Sequence, residues 1–329
     1  MELHARLVRS QLNFFKPFVA NCSLEVTRKG QDKLGELMTA MHRREVYVRE
    51  HDFGAFQGAW ITPHDQRRTG VILYLHGGGY TCGSLEYAKG FGATLAAEGG
   101  VRVFCAAYRL APENRYPAAL DDALESYQYL LKKGYAAHQI LLCGESAGGG
   151  LIYARRLKLR ELGLPLPCGL IGISPWTDLT ESGETYETNR EADPSMTKEL
   201  LEFYAGCYTD DARDPLCSPL FGIWRGCRRR CCLSAGTRSC STTRAACTKN
   251  SSRADARAGC SSRPSAGMRM CSITSARTWS RTSARSTAFS RRCSPRRRAC
   301  AGCGSTTPRR SIPRPSAATG RISSACPRR

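Results

Sequence analysis

The sequence predicts an α/β fold, a mostly parallel sheet with helices on both faces, confined to about two-thirds of a 329-residue chain. Three observations predict it. Two segments of alternating character are followed by four continuous apolar runs, as strands covered on both faces require. Stretches of helical length separate those runs. Beyond residue 222 the composition changes so far that no core can continue there.

Residues 1–42 read as amphipathic helix, ending in the run 31–41. Residues 45–49 alternate as a half-buried strand and 54–61 supply a second, with a turn between them. The apolar runs are 71–75, 101–107, 140–143 and 169–173. Between them, 85–98, 118–133 (with Pro117 at its entry) and 147–162 read as helices. Residues 184–208 break the alternation after the sixth strand and read as a helical insertion. There is no internal repeat.

The charge is divided unevenly. Residues 1–222 hold 24 Lys+Arg and 27 Asp+Glu, a net of 24 − 27 = −3. Residues 223–329 hold 25 basic residues and one acid, Asp255, a net of +24, together with 11 of the 18 cysteines. The aliphatic residues there are Ile223, Leu233, Ile273, Ile312 and Ile322. So little apolar surface under so much like charge cannot offset chain entropy, and the tail is expected to be disordered. No run approaches the ~18 apolar residues of a membrane span. Arg6, Arg9 and Lys16 interrupt any apolar signal core near the start. The seven earlier cysteines show no paired spacing. These features predict a soluble, cytoplasmic protein without cofactor or metal.

Gly144-Glu145-Ser146-Ala147-Gly148 follows an apolar strand and opens a helix, the setting of a nucleophile elbow. Flanking glycines let the chain turn sharply and project the Ser146 hydroxyl at the carboxyl edge of the sheet. Alone the pattern is weak, since at Gly and Ser frequencies of ~7% it arises by chance in about one such chain in ten. A second motif adds weight. His76-Gly77-Gly78-Gly79-Tyr80 closes the third strand, and three glycines in a row strip a loop of side chains at an entropic cost. Such a loop brings backbone N–H groups close to a substrate oxygen. The predicted oxyanion hole is Gly77 or Gly78 together with Ala147, with His76, Gly79 and Glu145 in support.

With these motifs on view, residues 40–222 resemble the hormone-sensitive-lipase-like branch of the α/β-hydrolase fold. Tyr108-Arg109-Leu110-Ala111-Pro112-Glu113, Tyr116-Pro117-Ala118-Ala119 and Ser174-Pro175-Trp176-Thr177-Asp178-Leu179 add to the resemblance, in family order. It implies an esterase or lipase acting on small carboxylic esters. It also implies a core at 43–222 and a helical cap built from 1–42 and 184–208. Glu145 stands where many relatives carry Asp. The resemblance makes His76 a loop-positioning residue rather than a base. Asp121 and Asp122, in the first turn of a helix, are read as structural, and Asp178 as ordering a loop near the site.

A serine nucleophile needs a general base held by a third group, and in this fold the order is Ser, then Asp or Glu, then His. The last histidine is His138, before Ser146. A shifted reading frame from about Gly222 accounts for the gap. If each intended codon joins the third base of one tail codon to the first two of the next, 233–247 can decode as Val-Gly-Gly-Asp-Glu-Ile-Leu-Leu-Asp-Asp-Ala-Arg-Gly-Leu. Its first Asp straddles Gly236 and Thr237. Residues 268–275 can decode as Ala-His-Val-Leu-Tyr-His-Leu, with the first His straddling Arg269 and Met270. Both stretches look like the family's acid and histidine loops, so 223–329 is read as out of frame. Two other readings of the tail compete with this one. An inactive hydrolase-like body could carry a basic nucleic-acid-binding arm, but its only aromatics are Trp224, Trp279 and Phe289, and no specific nucleic-acid partner is predicted. A zinc site at Cys300 and Cys303 lacks further ligands.

Overall fold

The computed structural model describes residues 23–188 and 196–224 and, as backbone, the segments 229–235 and 257–263. In chain order the elements are α1 (Leu24–Met41), β1 (Val46–Asp52), β2 (Gln57–Pro63), β3 (Val71–Leu75), α2 (Leu85–Gly99), β4 (Arg102–Ala107) and α3 (Ala118–Lys132). They continue with β5 (Ile140–Glu145), α4 (Ser146–Glu161), β6 (Gly169–Ile173), the short α5 (Thr185–Thr188), α6 (Lys198–Tyr208), β7 (Arg229–Ala235) and β8 (Arg257–Arg263). The six strands and three large helices expected between residues 45 and 173 are all present, with ends shifted by a few residues. The expected helical insertion holds α5 and α6. Of the stretch expected to be helical at the start, 1–22 lies outside the described residues.

The strands form one sheet in the order β1-β2-β4-β3-β5-β6-β7-β8. The pairs β1–β2 and β2–β4 are antiparallel and the others parallel. Alternate residues of the central strands build two cores. Leu73, Leu75, Phe104 and Leu142 pack with Leu120 and Tyr127 of α3 and Leu151 of α4. Ile72, Tyr74, Val103 and Cys105 pack with Ala88 and Phe91 of α2 on the opposite face. Every residue of β3 is buried, which is why its sequence is apolar without a break. Burying each such side chain stabilises by about 1.5–3 kcal/mol before entropy is counted.

Local signals fix the helix ends. The Ser84 and Thr197 side chains cap α2 and α6 by accepting from the N–H of Tyr87 and Leu200, and Gly100 ends α2 at φ 58°. Helix α1 lies on α2 where both carry glycine. A Cβ on Gly35 would stand 2.3 Å from the Glu86 carbonyl oxygen, and one on Gly90 would stand 2.6 Å from that of Gly35. No helix among the described residues is long and apolar enough to cross a membrane.

Two segments of the tail are described as backbone strands. β7 and β8 extend the sheet in parallel, with Leu170 opposite Arg230 and Cys232 opposite Cys260. The physical reason is the sheet edge: the unpaired N–H and C=O groups of β6 accept any extended backbone, whatever its side chains. The rest of the tail, including Cys300, Cys303 and the two codon junctions read for Asp and His, lies outside the described residues.

Candidate active site

Strands β3 and β5 are neighbours in register, Leu75 opposite Gly144, so the loops leaving their carboxyl ends meet at one sheet edge. One is the glycine loop 76–79 and the other is the turn at Ser146. Ser146 has φ 51°, left-handed for a residue with a side chain, as a sharp strand-to-helix turn demands. Its flanks explain their glycines. A Cβ on Gly144 would stand 2.4 Å from the Gly148 carbonyl oxygen, and one on Gly148 would stand 2.1 Å from that of Leu75. The turn is pinned from the other side as well. The Trp176 N–H donates to the Ser146 carbonyl at 2.8 Å, and a Cβ on Gly150 would meet the Trp176 carbonyl oxygen at 2.1 Å. Ser146 itself is half-buried at the start of α4, where the first backbone N–H groups have no helical partner.

The glycine loop lies against this turn. A Cβ on Gly77 would come within 3.1 Å of the Ser146 Cβ, and Gly78 and Gly79 have φ 116° and 63°. The Gly77 N–H donates to Glu145 Oε1 at 2.6 Å. The N–H of Gly77 is thus engaged by a carboxylate, where the sequence reading offers it, with Gly78 and Ala147, to an oxyanion.

Glu145 also accepts from the Tyr74 hydroxyl at 2.6 Å and the Tyr87 hydroxyl at 3.3 Å. Burial pushes its carboxyl up to about 7, against the opposing pull of these donors. His76 is fully buried, stacked on Tyr108 at 4.2 Å, with Nδ1 2.7 Å from the Gly77 carbonyl. Its Nε2 has no hydrogen-bond partner, and burial pulls the ring down to about 4. The ring is thus enclosed and turned toward its own loop. The Tyr108 hydroxyl donates to the His76 carbonyl at 2.7 Å and braces the same loop.

The remaining acids hold structure. Asp122, 1% exposed, receives the Arg109 N–H at 2.8 Å and that residue's guanidinium at 2.7 Å. Asp178, fully buried, accepts from the N–H and hydroxyl groups of both Thr180 and Ser182. Asp121 makes no such buried pair and lies on the exposed side of α3.

Several contributors carried no sequence signal. Helix α6 covers the glycine loop: a Cβ on Gly79 would stand 2.5 Å from the Tyr204 ring, and Tyr208 stacks on Tyr80 at 3.9 Å. Arg28 of α1 donates to the Thr81 carbonyl at 2.8 Å, to the Ala111 carbonyl at 3.1 Å, and to both oxygens of Glu113. That pairing holds the Glu113 carboxyl down to about 2. A close match of arginine to a distant carbonyl cannot be read from spacing. Among the described residues no cluster of His, Cys, Asp and Glu could hold a metal.

Comparison with known proteins places this geometry. A family model described as the alpha/beta hydrolase fold matches residues 72–260. A crystal structure titled as an esterase from the bacterial hormone-sensitive lipase family superposes with a TM-score of 0.74 at 28% identity, covering 86% of this chain and 97% of that one. The chain belongs to the hormone-sensitive-lipase-like α/β hydrolases. Within that family, an acetyl-hydrolase of Streptomyces hygroscopicus is 37% identical over 169 residues, 51% of this chain and 56% of the relative. A candidate acetyl-hydrolase of Mycobacterium tuberculosis, LipR, is 32% identical over 231 residues, 69% of this chain and 74% of its own length. The chain thus spans little more than half of the first relative and about three-quarters of the second.

Proposed function

We propose that this chain is built as a serine carboxylic ester hydrolase whose acid and base were lost to a slipped reading frame near Gly222. The observation that carries the reading is the left-handed Ser146 at the β5–α4 turn, with the glycine loop packed against it. In the intended enzyme the Ser146 hydroxyl attacks the ester carbonyl and gives its proton to the base. The backbone N–H groups of Gly78 and Ala147 hold the oxyanion, each worth ~3 kcal/mol in the transition state. The alcohol leaves with the proton, and water releases the acyl group from Ser146. The partner is a small ester, bound beneath a cap of α1 and α6 over a core at 43–222, in a cytoplasmic protein.

The topology supports the frame argument. β7 ends at Ala235, and the intended Asp straddles the next two residues, Gly236 and Thr237. β8 ends at Arg263, and the intended His follows at Arg269 and Met270. Both strands run parallel to β5, so both carboxyl ends point toward the edge that carries Ser146.

The test is to add back one base in the codons around Gly222 and compare hydrolysis of short acyl esters. Turnover is expected to rise at least about 1,000-fold, and Ser146→Ala to abolish it. Restored protein that folds yet leaves such esters intact would remove the chemistry assigned here. The rival reading, an inert body with a nucleic-acid-binding arm, requires the chain as written to bind DNA with sequence preference at physiological salt and the restored chain to lose that binding.

A further inference from the structure

We propose that Glu145 is a positioning residue whose ionised carboxylate latches the glycine loop to the nucleophile turn, fastened when charged and loosened when protonated. The proposal rests on the reading of Gly78 and Ala147 as the oxyanion donors, because the latch sets where the first of them stands.

The geometry is that of a bridge. Glu145 is the residue before Ser146, and its backbone belongs to the turn. Its Oε1 accepts the Gly77 N–H at 2.6 Å, and its Oε2 accepts the Tyr74 hydroxyl at 2.6 Å. A hydrogen bond from a backbone N–H to a charged carboxylate is about twice as strong as one to a neutral acceptor. The loop's carbonyls are held elsewhere, that of His76 by the Tyr108 hydroxyl and that of Gly78 by the N–H groups of Thr81 and Cys82, while Glu145 holds the N–H of Gly77. One peptide unit separates the latched N–H from that of Gly78, so freedom at Gly77 passes directly to the oxyanion donor.

The surroundings leave Glu145 as the titrating member near neutrality. Facing it are Tyr74 and His76 from β3 and its following loop, Tyr87 from α2, Cys105 from β4, and Tyr108 beyond β4. Burial pushes the three tyrosines and the Cys105 thiol upward, while it pulls His76 down to about 4. The nearby cation of α2, Lys89, is engaged by Glu50 and Glu86. Burial brings the Glu145 carboxyl itself to about 7, so its charge changes in the middle of the working range.

The test uses the full chain. His76-Gly77 is the single His-Gly step in the sequence, so labelling His at the carbonyl carbon and Gly at nitrogen isolates one amide resonance. The Gly77 amide proton is expected far downfield at pH 9 and to move upfield in one step centred near pH 7. In Glu145→Gln, which keeps an acceptor but cannot titrate, the step disappears. A resonance that stays fixed from pH 5 to pH 9, or a step that persists in Glu145→Gln, overturns the proposal. If Glu145→Gln does not fold, the wild-type titration alone decides. Ser146→Ala keeps the step, so failure of the latch and failure of the hydrolase reading are separate results.

Discussion

Strands β5 and β7 lie in the same sheet, each paired in parallel on both sides, yet they are made of different material. β5, Ile-Leu-Leu-Cys-Gly-Glu, is apolar up to its functional end and is buried between α2 on one face and α3 and α4 on the other. β7, Arg-Arg-Cys-Cys-Leu-Ser-Ala, brings two arginines to a position where a central parallel strand should be hydrophobic. The difference teaches that ladder hydrogen bonds do not select sequence, because every residue except proline offers the same N–H and C=O. Selection comes from what the side chains bury. A sheet edge can therefore pair with a segment as polar in sequence as Arg229–Ala235.

The sharpest way to break this comparison is to make the same backbone change in both strands. Proline removes one ladder N–H and leaves a carbonyl unpaired. Cys143→Pro in β5 is expected to abolish the folded state, a loss of ~3 kcal/mol or more, whereas Cys232→Pro in β7 should lower the unfolding free energy from urea titration by less than ~0.5 kcal/mol. Equal losses would show β7 to be part of the cooperative unit. Next in size is Asp122→Ala. It strips the Arg109 N–H and guanidinium of their acceptor at a site with 1% exposure, and should cost about 2 kcal/mol by denaturant titration. The smallest effect has the opposite sign. Glu181 is 7% exposed, has φ 53°, and neither carboxylate oxygen has a hydrogen-bond partner. Burial, then repulsion from Glu202, pushes its carboxyl up to about 8. The folded state therefore holds a proton that the unfolded chain releases above its ordinary value. Stability declines as pH rises between those values, and the penalty is complete above pH 8. Glu181→Gln should raise the thermal midpoint by a few degrees at pH 9 and leave it unchanged at pH 4; a gain of the same size at both would refute the assignment.

How much was legible follows the same division. Between residues 45 and 173 strands and helices announce themselves, because uninterrupted apolar runs such as Val71–Leu75 admit few alternatives to a doubly covered strand. The sharp turn at Ser146 and the glycine loop were legible too, since both depend on residues that the backbone geometry cannot do without. The fate of the Gly77 N–H was not. It turns on where the Glu145 side chain goes after leaving the turn, and three donors from β3, α2 and the loop decide that. Arg28 and Tyr204 were invisible for a related reason, as partners distant in sequence meet only once α1 and α6 dock. β7 and β8 were unreadable because their sequences carry neither an apolar run nor a clean alternation.

The close packing of Gly144, Gly148 and Gly150 against the carbonyls of Gly148, Leu75 and Trp176 has a practical outcome. The hairpin-tight posture of Ser146 is enforced by strands and loops wholly upstream of Gly222, so it does not depend on anything the tail encodes. Such a turn is a ready scaffold for enzyme engineers: a cocked hydroxyl beside which grafted imidazoles can be scored one position at a time.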